Sequence, residues 1–258
     1  MTRKPLIITP IDTLPLIQQG ANLGEIIQGA LQKTAFILEE GDILVITQKI
    51  VSKAEGRLVN LSTVFPSQKA LELSEITKKD ARLVELVISE SNEILRMREN
   101  TLIVEHRLGF VCANAGIDHS NVKGDWGNDD DWYLLLPKDP SASALKIREY
   151  FKEKTGKNIG VMIIDSHGRA WRKGTVGIAI GFSGVPGIID MRGKEDIFKY
   201  HLKITMIAAA DELAASASLI MGQADEMIPI VHVRGFPYPL SDTPFQEILR
   251  NKEEDLFR

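Results

Sequence analysis

A single cysteine, Cys112, stands in a chain of 258 residues. That excludes an internal disulfide and any zinc site built on clustered thiolates, and it fits a reducing compartment. Positive charge is not in excess either: 31 Lys and Arg against 35 Asp and Glu leave a net charge of -4. Such a balance gives no support to a nucleic-acid or anionic-membrane partner. No stretch of about 18 apolar residues occurs, so no membrane span is expected. The opening Met-Thr-Arg-Lys-Pro leads into an apolar run cut short by Thr9 and Pro10, unlike a secretory leader. A cytoplasmic protein is therefore expected. Both Gly-x-x-x-x-Gly-Lys-Ser/Thr and Gly-x-Gly-x-x-Gly are missing, so a bound nucleotide would sit on neither a P-loop nor a Rossmann turn. Repeats and low-complexity linkers are lacking too. The length allows one large domain or two small ones, and two would have to exchange the chain more than once.

What is present is an ordinary globular composition, 44% hydrophobic and 26% charged. Residues 5–10 read as a short strand and the Pro-marked 11–17 as a loop. Residues 21–34 carry Leu23, Ile26, Ile27, Ala30 and Leu31 at helical spacing. The β-branched run 43–47 after Gly41-Asp42 is a strand. Residues 66–98 predict two or three amphipathic helices with a break near Lys78-Lys79-Asp80. Strands follow at 101–105 and from Tyr133 to a stop at Pro140. Ser141 is expected to cap a helix running to about Gly156. Residues 159–164 form another strand, and the glycines between 177 and 184 fit tight strand packing and a turn. An Ala-rich helix within 204–221 stops at Gly222, a last strand covers 228–235, and the tail from Phe245 is a short charged helix.

Several of these elements deliver polar side chains at their ends. The strand 43–47 leads into a strand-to-loop junction carrying Lys49, Ser52, Lys53 and Arg57. That group suits phosphate oxygens or, equally, a solvated junction with snorkelling lysines. The apolar run 109–116 breaks at Gly116 into Ile-Asp-His-Ser-Asn, so that Asp118 either reaches a ligand or caps a turn. The strand 159–164 ends at Asp165-Ser166-His167-Gly168-Arg169, whose oxygens suit Mg2+ or Mn2+. His167 is expected beside such a cation or on the surface rather than as its ligand. Gln223-Ala224-Asp225-Glu226 follows the Ala-rich helix as a third polar cluster. The acidic loop 123–132 reads as a solvated loop.

Four segments together resemble the coenzyme F-420-0:L-glutamate ligase family, the γ-glutamyl ligases of the deazaflavin cofactor. They are Thr-Gln-Lys-Ile-Val-Ser-Lys-Ala-Glu-Gly-Arg at 47–57 and Ala-Asn-Ala-Gly-Ile-Asp-His-Ser-Asn-Val at 113–122. Ile-Asp-Ser-His-Gly-Arg-Ala-Trp-Arg at 164–172 and Leu-Leu-Pro-Lys-Asp-Pro at 135–140 complete the set. The resemblance spans residues 14–235. It implies an α+β fold of two intertwined, discontinuous subdomains, with mixed and antiparallel sheets packed by helices, in a homodimer. The nucleotide is implied to sit in a groove near the subunit interface. It also implies GTP as co-substrate, Mn2+ or Mg2+, and a monovalent cation as a further candidate. The activity implied is ligation of L-glutamate, once or through further γ-linkages, to a deazaflavin acceptor.

Residue by residue, the resemblance places the early nucleotide loop on Leu14, Pro15, Leu16 and Ile17. Further nucleotide contacts fall on Gln48, Lys49 and Asn121, with the phosphate-facing lysine at Lys53. A second nucleotide segment runs through Met221, Gly222, Gln223, Ala224, Asp225, Glu226, Met227 and Ile228. Metal ligands fall on Asp118, Asp165, Ser166 and Gln223. Lys53 and Arg169 are the catalytic candidates, Arg169 for an acyl phosphate or an incoming carboxylate. Departures are Ser166 where many relatives carry threonine, His167 where an aromatic is frequent, and a longer 123–132 loop. A C-terminal reductase domain found in some relatives is not expected. A metal-dependent phosphohydrolase and a non-catalytic nucleotide-binding protein are the competing readings, since both could use the same oxygen ligands.

Overall fold

Residues 5–256 are described in the computed structural model; the basic start at residues 1–4 and the end of the charged tail at 257–258 lie outside the described residues. Strand β1 (Ile7–Ile11) and the Pro-marked loop lead to α1 (Leu23–Lys33), where Asn22 caps the Glu25 amide. Its buried Leu23, Ile27, Ala30 and Leu31 form one stripe at helical spacing. Strand β2 (Ile43–Thr47) is buried at its first four positions. It passes directly into helix α2 (Gln48–Ala54), not into the loop junction expected. Ile50, Val51 and Ser52 are buried there, so packing of a short apolar face makes the helix that seven residues alone would not sustain.

Strand β3 (Leu58–Asn60) precedes α3 (Gln68–Thr77) and α4 (Ala81–Ser89). Left-handed Lys78 ends α3 and Asp80 caps α4, at the break expected. The third amphipathic helix is instead strand β4 (Ser91–Arg98). It pairs with β5 (Thr101–His106) through a turn at left-handed Asn100, and cross-strand pairing overrides the spacing of Ile94 and Leu95. Strands β6 (Val111–Ala113) and β7 (Trp132–Leu134) are short. Helix α5 (Pro140–Thr155) is capped by Asp139, not Ser141, because Pro140 fits the first turn. The Ser141 hydroxyl accepts the Phe182 amide instead.

Strands β8 (Gly160–Arg169) and β9 (Arg172–Ser183) make a long hairpin, so Asp165, Ser166 and His167 lie inside a strand and not beyond its end. Ile163 pairs with Gly181 and Ile164 with Ala179, which leaves Ile180 as an extra residue in β9. A Cβ on Gly177 would meet the Ala214 carbonyl at 2.6 Å, and one on Gly181 would meet Pro140 at 2.5 Å. These are the close approaches that the glycines of this strand permit. The ribbon of β10 (Ile189–Asp190) and β11 (Met206–Ile207) leads to α6 (Ala209–Met221) and then β12 (Ile230–Arg234). The tail makes two 3-10 turns, Phe245–Ile248 and Lys252–Glu254, in place of one helix.

The main sheet runs β1-β12-β2-β8-β9, with β2 and β8 parallel and the other pairs antiparallel. A three-stranded sheet β4-β5-β6 and the ribbons β3-β7 and β10-β11 complete an α+β fold. One buried cluster joins the main sheet to α1, α3, α4, α5 and α6, and a small one gathers Leu61, Leu86 and Leu135. Among the described residues, no helix is long and apolar enough to cross a membrane.

Glu90, 8% exposed, ties these layers together. It receives Arg57 at 2.7 Å and Arg107 at 2.8 Å, with His106 at 3.7 Å. Burial alone would raise its pKa; the His106, Arg107 and Arg57 contacts outweigh that and lower it from 4.5 to about 2. A depressed carboxyl contributes stability above its unfolded pKa and loses it as pH falls through the folded one. The window here runs from 4.5 down to about 2. Glu90→Gln is expected to cost roughly 3 kcal/mol at neutral pH and much less near pH 3. Urea unfolding of both proteins across that range measures this, and an equal deficit at both ends would contradict it.

Candidate active site

Parallel strands release their following residues on one side of a sheet, the side where α/β proteins bind ligands. Thr47 and Ile164 form the last rung between β2 and β8. Gln48 and Asp165 therefore leave that rung side by side. Asp118 arrives from elsewhere. After β6, Asn114, Ala115 and Gly116 all adopt left-handed backbone (φ 51°, 53° and 63°) and redirect the chain. Asp118 then exchanges backbone hydrogen bonds with Leu134 at 2.9 and 2.8 Å, which fastens it to β7. The fourth contribution follows α6, where Gly222 (φ 72°) turns the chain. A Cβ there would lie 2.1 Å from the Glu226 carboxyl carbon.

These segments enclose a cavity of ≈ 460 Å³. Its wall includes all of 14–17, Gln48, Lys49, Lys53, Asn121, Asp165, Ser166 and all of 221–228. Asp118 stands just behind this wall. Its Oδ2 accepts from Gln48 Nε2 at 2.6 Å and lies 3.5 Å from Lys49 Nζ. Lys49 also donates to the Ser120 carbonyl and hydroxyl at 3.1 and 2.9 Å. Lys53 Nζ donates to the Asn121 carbonyl at 2.8 Å, and Asn121 Nδ2 to the Ala224 carbonyl at 2.9 Å. The 118–121 and 221–228 loops are stitched together in this way. Burial, and then Lys49, lower the Lys53 pKa.

The two carboxylates sense each other. Burial, and then the charge of Asp165, push Asp118 up to about 6 despite Lys49 and Gln48. Asp165 Oδ2 pairs with His167 Nε2 at 2.8 Å. His167 is 6% exposed and packs 5.4 Å from the Phe110 ring, so it is a buried partner of Asp165 and not a surface residue. Among the described residues, no three His, Cys, Asp or Glu side chains gather to hold a metal. The set that does gather is Asp165, the Ser166 hydroxyl and the Gln223 amide in the cavity wall, with the half-buried Asp118 just behind it. Its oxygen donors, with a negative charge that Lys49 only partly offsets, are of the kind that a hard divalent cation takes while keeping part of its water.

Arg169 lies apart. β8 continues past Asp165, which carries Arg169 about 13 Å further along the strand. It is exposed there, 3.4 Å from the Gly174 carbonyl, and does not line the cavity. The expectation that the strand ended at residue 164 hid this distance. Ser52, expected in the group suited to phosphate oxygens, is instead fully buried against Gln48. Its signal was the Gln48–Ser52 interval of one helical turn, obscured when the stretch was read as a junction.

Comparison with known proteins now bears on this cavity. The family model described as F420-0:Gamma-glutamyl ligase matches residues 12–235. The chain is 44% identical over 250 residues to the coenzyme F420:L-glutamate ligase of Methanothermobacter thermautotrophicus, covering 96% of this chain and 97% of that one. It is 43% identical over 248 residues to the protein of the same name from Methanocaldococcus jannaschii, covering 95% and 94%. The Archaeoglobus fulgidus protein of that name is 41% identical over 251 residues, covering 97% and 96%. A match over nearly the whole length places the cavity and its polar lining within the shared region: this chain belongs to the F420-0:gamma-glutamyl ligase family.

Proposed function

We propose that this chain is a ligase that joins L-glutamate to the deazaflavin coenzyme F420-0, at the expense of GTP and with a divalent cation. Further γ-linked additions belong to the same reading. The observation that carries it is the meeting of Asp118, Asp165, two lysines and two loops around one cavity large enough for a nucleotide. The relatives named coenzyme F420:L-glutamate ligase supply the reaction class.

A carboxylate repels an attacking amine, and phosphorylation by GTP turns it into an acyl phosphate that glutamate can displace. Phosphoryl transfer asks a protein mainly to position groups and neutralise charge. Leu14 to Ile17 and Met221 to Ile228 both line the cavity and suit the base and ribose. Lys53, partly buried, faces phosphate oxygens as a point charge, and Lys49 stands beside it. Asp118 and Asp165, with Ser166 and Gln223, would hold Mg2+ or Mn2+, which supplies charge neutralisation at the β- and γ-phosphates. Asn121 keeps the two loops in register through Ala224. Arg169, outside the cavity wall, could meet an acceptor only at its outer rim.

A homodimer belongs to the same reading. Trp171, Ile197, Phe198, Ile204 and Leu219 each keep more than 80% of their surface exposed, which suits burial against a second copy. Light scattering is expected to return twice the monomer mass; a monomer at micromolar concentration would remove this part.

The ligase reading itself is tested by mass spectrometry after incubation with F420-0, glutamate, GTP and Mn2+. The acceptor is expected to gain glutamyl residues, and phosphate to appear only when acceptor and glutamate are both present. Phosphate release without them would point to a phosphohydrolase, and GTP binding without turnover to a non-catalytic protein. Asp165→Asn is expected to lower glutamylation at least 100-fold, about the size of losing one key electrostatic group. Its thermal unfolding should stay close to wild type. Near-normal turnover in that variant would take Asp165 out of the mechanism.

A further inference from the structure

At the foot of the cavity, two side chains complete their hydrogen bonding inside the protein. Gln48 is 1% exposed and Ser52 0%, so bulk water is not at hand to replace a lost partner. They lie one turn apart on α2, where positions i and i+4 meet on one face. Ser52 Oγ donates to Gln48 Oε1 at 2.9 Å, and Gln48 Nε2 donates to Asp118 Oδ2 at 2.6 Å. Chemistry fixes the direction of this amide. An ionised Asp118 only accepts, so the NH2 end of Gln48 must face it. The carbonyl end then needs a donor, and the Ser52 hydroxyl supplies one. A helical serine often turns back to the backbone carbonyl four residues earlier. Here it reaches the side chain of that residue.

We propose that Ser52 is a positioning residue for the carboxylate pair, acting through Gln48 to hold one oxygen of Asp118 and so fix the orientation of the carboxylate. This rests on the reading above, in which Asp118 and Asp165 hold the divalent cation. Gln48 is neutral, so it orients Asp118 without cancelling the charge that attracts a cation. Lys49, 3.5 Å away, does cancel part of it. Removing Ser52 frees the amide to rotate, and a rotated amide would set its carbonyl oxygen against the carboxylate. Gln48, assigned to the nucleotide by resemblance, has both ends of its amide committed to Ser52 and Asp118.

The test is Mn2+ alone, titrated into the full chain and followed by the EPR signal of free Mn2+. Wild type, Ser52→Ala, Gln48→Met, the double variant and Asp165→Asn are compared, with thermal unfolding in EDTA as the check on folding. Each of Ser52→Ala and Gln48→Met is expected to raise the Mn2+ Kd about tenfold, the lower end of what groups behind a metal ligand control. The double variant should bind no more weakly than Gln48→Met, because Ser52 acts only through the amide it holds. A folded Ser52→Ala that binds like wild type, or losses that add in the double variant, overturns the proposal. If Ser52→Ala does not fold, unchanged binding by Gln48→Met overturns it. Equal Mn2+ uptake by wild type and Asp165→Asn overturns the underlying metal reading instead.

Discussion

Two like charges kept close together in a poorly hydrated cleft set the terms for everything around them. Asp118 and Asp165 repel, and partial burial weakens the screening of that repulsion by water. A fold tolerates this only if each carboxylate is gripped by donors that cannot move away. Gln48 and Lys49 hold Asp118, and His167 holds Asp165. What results is a partly compensated pair of carboxylates, with Asp165 in the cavity wall and Asp118 behind it.

The backbone holds that pair through elements chosen for rigidity. β2 and β8 are buried centrally in the main sheet, and their shared last rung sets where Gln48 and Asp165 begin. Asp118 has no strand of its own to rest on. It is fixed instead by the bridge to Leu134, reached through three left-handed residues. Loops 14–17 and 221–228 supply much of the cavity wall, and the second is held by Asn121 and by the turn at Gly222.

Much of this was legible beforehand, and the reasons differ by element. Strand β2 and helix α6 carry unambiguous patterns, a β-branched run and an alanine-rich period closed by glycine. The polar clusters at Asp118, Asp165 and Gln223 could be picked out because short oxygen-bearing side chains followed apolar runs. That they converge could not be read from spacing, since convergence depends on the parallel pairing of β2 with β8 across more than a hundred residues. β4 was misread because Ile94 and Leu95 fit a helical period until pairing with β5 is known. The length of β8 was misread because Asp165, Ser166 and Arg169 look like a loop, while the hairpin partner β9 keeps them extended. Arg169 was drawn into the site by that error. That Ser52 turns inward to Gln48 could not be read, because a helix of seven residues leaves almost no periodicity to detect.

The extra residue in β9 has a consequence for how the two central helices can be mounted. Gly177 and Gly181 are four positions apart, and in an unbroken strand they would show their bare backbones to the same side. With Ile180 inserted between them, one notch without a side chain receives α6 and the other receives the start of α5. Parity along this one strand therefore decides where α6 lies, and through it where the 221–228 wall can stand. Indels between these two glycines are not equivalent to indels in a surface turn: an odd change in length would put both notches on one side, whereas an even one would keep them opposed.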